Sequence, residues 1–103
     1  TCMAKLSVEQ QTQLSAQESF SKAKNLLQQD SGLKKIDPHL KFQFDDEKCM
    51  ATARGQKIDA CLKVQTSGKH SKVVIEVDLP FLLTPFKRQI QDALESKLKQ
   101  VFS

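Results

Sequence analysis

Apolar and polar residues first alternate at Ala4, Leu6 and Val8, which are separated by Lys5, Ser7 and Glu9. That period of two predicts a half-buried strand. Ser15-Ala16-Gln17-Glu18 then has the form of a capping box, with the Ser15 hydroxyl accepting from the Glu18 amide at the start of a helix. Ala16, Phe20, Ala23 and Leu27 share one face of that helix, with Leu26 beside them. Gly32 is placed to end it in the left-handed conformation, and Leu33 to fold back on its last turn. Residues 34–39 read as a connector, because Pro38 disfavours helix at Asp37 and donates no ladder hydrogen bond. Four strands are expected next, at residues 40–44, 49–54, 57–65 and 72–79. Thr84-Pro85 supplies an N-cap and a first helical proline for a last helix, whose apolar arc is Phe86, Ile90, Ala93, Leu94, Leu98 and Val101.

Turn chemistry predicts how the four strands pair. Gly55-Gln56 and Gly68-Lys69 each place Gly first in a two-residue loop, the type II′ signature. The first loop sets Ala53 opposite Ile58, Ala51 opposite Ala60 and Cys49 opposite Leu62, and puts Cys61 on the outer face opposite Met50. The second sets Val64 opposite Val73, Leu62 opposite Ile75, Ala60 opposite Val77 and Ile58 opposite Leu79. Across the acidic turn Asp45-Asp46-Glu47, Phe44 meets Cys49, Phe42 meets Ala51 and Leu40 meets Ala53. Every inward pair is apolar, and a one-residue slip would mix the faces. Small residues at Ala51, Ala53 and Ala60 leave room for the last helix to cross there. The reading is one α+β domain over residues 1–103, ordered β-α-β-β-β-β-α, its antiparallel sheet packed on amphipathic helices.

Composition narrows the function classes. At 39% hydrophobic and 27% charged residues, the chain is in the globular range. No apolar run approaches the ~18 residues of a membrane span, and no apolar secretory stretch opens the chain, so a cytoplasmic protein is expected. Met3 can serve as a natural start, which would make Thr1 and Cys2 an expression remnant. The formal charge of +4 invites a nucleic-acid reading, but 16 basic residues are interspersed with 12 acidic ones and neither Tyr nor Trp is present to stack on bases. Cys2, Cys49 and Cys61 match no zinc or redox spacing and read as free thiols. His39 and His70 lie in a connector and at a hairpin tip without converging partners, so no catalytic residue, metal site or cofactor is expected. Asp45-Asp46-Glu47 lacks the glycine and spaced oxygens of a calcium loop.

Residues 79–86 differ, because Phe81, Leu82, Leu83 and Phe86 crowd a joint where a polar loop would be ordinary. Either these side chains cap the core or they form a hydrophobic contact site. Lys97 falls inside the apolar arc of the last helix, where it is either a snorkelling stem or a cation placed to meet an anion.

The order strand, helix, four-strand meander, helix resembles the family of polyhydroxyalkanoic acid system proteins, encoded near polyester-storage genes in bacteria. The resemblance is carried by Val77-Asp78-Leu79-Pro80-Phe81-Leu82-Leu83-Thr84-Pro85-Phe86-Lys87 and on through Ile90 to Leu98, with support from Ala4-Lys5-Leu6-Ser7-Val8 and Gly32-Leu33-Lys34. It covers nearly the whole chain, but through packing motifs. The chain departs from the pattern at residues 9–13, where many relatives carry a basic residue and a His, and in its longer connector at residues 35–39. The resemblance implies polyester metabolism or storage granules as a setting, and no reaction. Three functions remain: an accessory protein of polyester storage binding granule, polymer or a granule protein; a small carrier of acyl or other hydrophobic ligands with a cavity between the sheet and the last helix; and a nucleic-acid-binding module. The accessory role is favoured, and monomer and homodimer both stay open.

Overall fold

A computed structural model describes residues 3–30 and 37–102. Gly32 and Leu33, expected to end the first helix, and Thr1 and Cys2 lie outside the described residues. β1 (Met3–Thr12) runs longer than its clearest alternation and leads into α1 (Ala16–Asp30). The Ser15 hydroxyl caps α1 by accepting from the Glu18 amide at 3.2 Å. A meander follows, β2 (Lys41–Asp45), β3 (Met50–Arg54), β4 (Asp59–Ser67) and β5 (His70–Pro80), then a 3-10 helix (Phe81–Phe86) and α2 (Lys87–Phe102).

The strands form one antiparallel sheet in the order β1-β5-β4-β3-β2. β1 returns to pair with β5, setting Leu6 opposite Val77 and Val8 opposite Ile75. The β4–β5 register is the expected one, with Val64 opposite Val73, Leu62 opposite Ile75 and Ala60 opposite Val77. Ile58, expected opposite Leu79, instead precedes β4 and is buried in the preceding loop.

The other two registers differ from expectation by two residues. Ala51 pairs with Leu62, Ala53 with Ala60 and Thr52 with Cys61, so Cys49 does not face Leu62 and Cys61 does not face Met50. Phe42 pairs with Ala53 and Phe44 with Ala51, a large residue opposite a small one in each case. The two shifts have different causes. The β2–β3 loop keeps its expected four residues but sits one residue later, at 46–49, where Cys49 takes a left-handed φ of 52° while its carbonyl accepts from the Val64 amide at 3.0 Å. The β3–β4 loop is longer than expected, with four residues, 55–58, in place of two. A shift of two preserves which face each side chain takes, so the inward set stays as the alternation implies.

The core lies on one face of the sheet. α1 packs over β4 and β5, while α2 packs along β1 and against α1. This corrects the expected crossing of the last helix over Ala51, Ala53 and Ala60. β5 ends with Pro80 opposite Met3, so the chain leaves the sheet beside β1, and α2 runs back along that strand. Leu6, Val8, Val77, Leu79, Leu94 and Leu98 are buried in one cluster at that seam, with Phe20, Ala23, Leu26 and Leu27 of α1 in the same cluster.

Candidate functional site: the apolar strand–helix joint

The joint begins where the ladder ends. Pro80 is extended (φ −62°, ψ 152°) and opens the 3-10 helix without a side-chain cap. Pro85 has no N–H to donate four residues back to the Phe81 carbonyl, as an α-helix would require. The Thr84 hydroxyl donates to that carbonyl instead, at 2.7 Å. Thr84 therefore braces the 3-10 turn and does not cap α2, which starts only at Lys87. The expected cap fails because the 3-10 turn runs on through Phe86, which leaves Thr84 three residues before the first residue of α2.

This turn sorts the four candidate residues. Leu82 is 87% exposed, Phe81 66% and Phe86 51%, whereas Leu83 packs against the core cluster. Leu79, three residues before Leu82, is fully buried. Three large apolar side chains thus project from one short turn, rooted by Leu79 and Leu83. Water-facing apolar clusters of this kind commonly mark a contact surface.

The β3–β4 loop forms the facing wall. Residues Gly55, Gln56, Lys57 and Ile58 line an open depression of about 490 Å³ together with Pro80, Leu82 and Leu83. Asp37 holds that loop in place from a distance. Its buried carboxylate accepts from the Lys57 amide at 2.6 Å, the Ile58 amide at 3.2 Å and the His39 amide at 3.1 Å. The Lys57 amide is the main influence keeping the Asp37 carboxyl below the usual carboxylate range, against burial, with help from the Ile58 and His39 amides and the His39 ring. Gly55 lies against the same carboxylate, and a Cβ there would run into the Asp37 side chain. Apolar spacing marks Asp37 only as connector. The signal that could have found it is local, since an Asp accepting from the amide two residues on is an Asx-turn, and Asp-Pro favours one.

The remaining candidates lie elsewhere. Lys97 is half-buried on α2, about 16 Å along the helix axis from Phe86 at 1.5 Å per residue. His39 and His70 are exposed, Cys49 is buried in its turn, and Cys61 is half-buried on the outer face beside Thr52 and Glu76. Among the described residues, no three His, Cys, Asp or Glu side chains gather into a metal-binding group. No described helix is long and apolar enough to cross a membrane.

A family model described as "Putative polyhydroxyalkanoic acid system protein" matches residues 6–102. Among solved structures, TTHA0849 from Thermus thermophilus is similar with a TM-score of 0.59 at 12% identity, over 95% of this chain and 91% of that one. At that identity the likeness speaks to fold alone. Ara h 8.0201 gives a TM-score of 0.47 at 12% identity, over 96% of this chain and 99% of that one. No curated protein sequence matches the chain.

Proposed function

The chain belongs to the polyhydroxyalkanoic acid system protein family, and from that premise we propose that it is a non-catalytic accessory protein of polyester storage that binds the granule surface. The observation that carries the reading is the exposure of Phe81, Leu82 and Phe86 on one braced 3-10 turn. An aliphatic polyester offers an apolar surface with ester oxygens and no charge, so burial of aromatic and aliphatic side chains is the available driving force. Each fully covered side chain of this size is worth about 1.5–3 kcal/mol. Leu79 and Leu83 anchor the turn from below, and Thr84 fixes its backbone, so little ordering entropy remains to oppose contact.

Co-sedimentation with purified polyester granules tests the proposal. The wild-type chain is expected to pellet with granules. Leu82→Ser and Phe81→Ser, both at solvent-facing positions, are expected to weaken that association while leaving the melting curve in place. A wild-type chain that stays in the supernatant, or variants that pellet as well as wild type, would remove the granule-surface reading.

A further inference from the structure

β2 is an edge of the sheet, paired with β3 on one side and with no strand among the described residues on the other. Its sequence, Lys41-Phe42-Gln43-Phe44-Asp45, reads cation, aromatic, amide, aromatic, anion. Lys41, Gln43 and Asp45 are exposed, and the two phenylalanines are half-buried and stacked with ring centroids 6.2 Å apart. Lys24 of α1 sits 5.2 Å above the Phe44 ring and 3.4 Å from Asp46, which fixes the inner face of this edge.

Such a strand is complementary to itself when turned around. If two copies approach antiparallel about a two-fold axis at Gln43, Lys41 of each copy stands opposite Asp45 of the other. Phe42 then stands opposite Phe44 twice, and the amides of Gln43 meet on the axis. We propose that two copies of this chain join through β2 in that register, extending the sheet across the dimer from five strands to ten.

The charges make the pairing selective. An edge lysine ordinarily repels a foreign strand, but here the antiparallel register alone supplies its counter-charge. A parallel, in-register approach sets Lys41 beside Lys41 and Asp45 beside Asp45, and a slip of two residues in either direction removes both Lys41–Asp45 pairs. Asp45 is able to take part, because its contact with the Lys48 amide at 3.2 Å uses one of its two oxygens. Pairing also covers the half-buried Phe42 and Phe44 and satisfies the open backbone edge. With five residues a side, the interface falls below the ~1,200 Å² of stable complexes, so the dimer is weak and concentration-dependent.

Sedimentation velocity on the full chain, up to about millimolar concentration, should show a reversible monomer–dimer equilibrium. Lys41→Glu and Asp45→Lys each place two like-charge pairs across the axis, and each should weaken the dimer about tenfold. The combined swap restores opposite charges and should return the equilibrium to near wild type. Gln43→Cys gives a geometric check. The two-fold brings the two copies' Cα atoms at this position to about 4.5–5.5 Å, within disulfide reach, so mild oxidation should link position 43 of one copy to position 43 of the other. A chain that stays monomeric throughout, a double swap that fails to restore association, or position 43 bridging only to native cysteines would each overturn the inference.

Discussion

Two loops of this chain open with glycine between apolar strands, and they fold differently. Gly68-Lys69 makes the two-residue turn its sequence implies, with Gly68 at φ 65° and Ser67 paired with His70. Gly55-Gln56 belongs to a four-residue loop, and the Gly55 amide donates to the Ile58 carbonyl at 3.0 Å. The first glycine is needed for its backbone conformation, since a Cβ there meets nothing within 4 Å. The second is needed for space, because the Asp37 carboxylate occupies its Cβ position. A turn signature reports what the local backbone prefers. A carboxylate arriving from 20 residues earlier in the chain to take the Lys57 amide can override that preference.

The comparison breaks most severely at Asp37. Asp37→Ala strips the acceptor from the Lys57, Ile58 and His39 amides together and should give the largest loss of stability among these substitutions, read as a fall in urea midpoint. The charge matters as well as the shape. Because the folded carboxyl is held below its usual range, the carboxylate stabilises the fold above the unfolded value, near pH 4. That contribution is lost as pH falls from there through the lower folded value. Asp37→Asn, which loses the charge and accepts through one oxygen only, should be less stable near neutrality and show a flatter pH dependence in that window. A parallel wild-type and Asn profile would mean that the carboxylate does not hold the loop.

Gly55→Ala against Gly68→Ala is the direct contrast. The first forces the new methyl against a buried, hydrogen-bonded carboxylate and should cost roughly 1–3 kcal/mol. The second meets open space and pays only for a left-handed backbone, about 1 kcal/mol. Combining Gly55→Ala with Asp37→Ala should relieve part of the clash and give a total smaller than the sum, whereas Gly68→Ala should add to Asp37→Ala independently.

Much of the fold was legible because alternation fixes faces. Leu62, Val64, Val73, Ile75 and Val77 turn inward as their spacing requires, and the β4–β5 register follows from a turn that depends on Gly68 alone. The β2–β3 and β3–β4 registers were not legible in full, since a two-residue slip leaves every face unchanged and so passes the test of an apolar inner face. The choice was made by Cys49 adopting a left-handed φ and by Asp37 reaching Gly55, and neither is visible in the spacing of apolar residues. The apolar joint was legible as an anomaly but not as a surface. The Thr84-Pro85 signature marked Thr84 as a helix cap, and the Thr84–Phe81 bond together with the 3-10 geometry of residues 81–86 shows that a separate turn intervenes and leaves Leu82 outward.

The smallest expected effect on stability lies at that turn, and it extends the contrast from loops to side chains. Leu82 and Leu83 are neighbours of the same type in the same 3-10 helix, yet one is 87% exposed and the other packs on the core. Leu83→Ser removes a root of the turn and should cost roughly 1–2 kcal/mol. Leu82→Ser removes apolar surface that the fold leaves in water and should move stability by no more than about 0.5 kcal/mol. If Leu82→Ser destabilised the chain as much as Leu83→Ser, the side chain would be covered in solution and the contact surface would lose its centre. If it does not, then Leu82 is a large apolar residue that folding leaves in water, as the proposed contact surface requires.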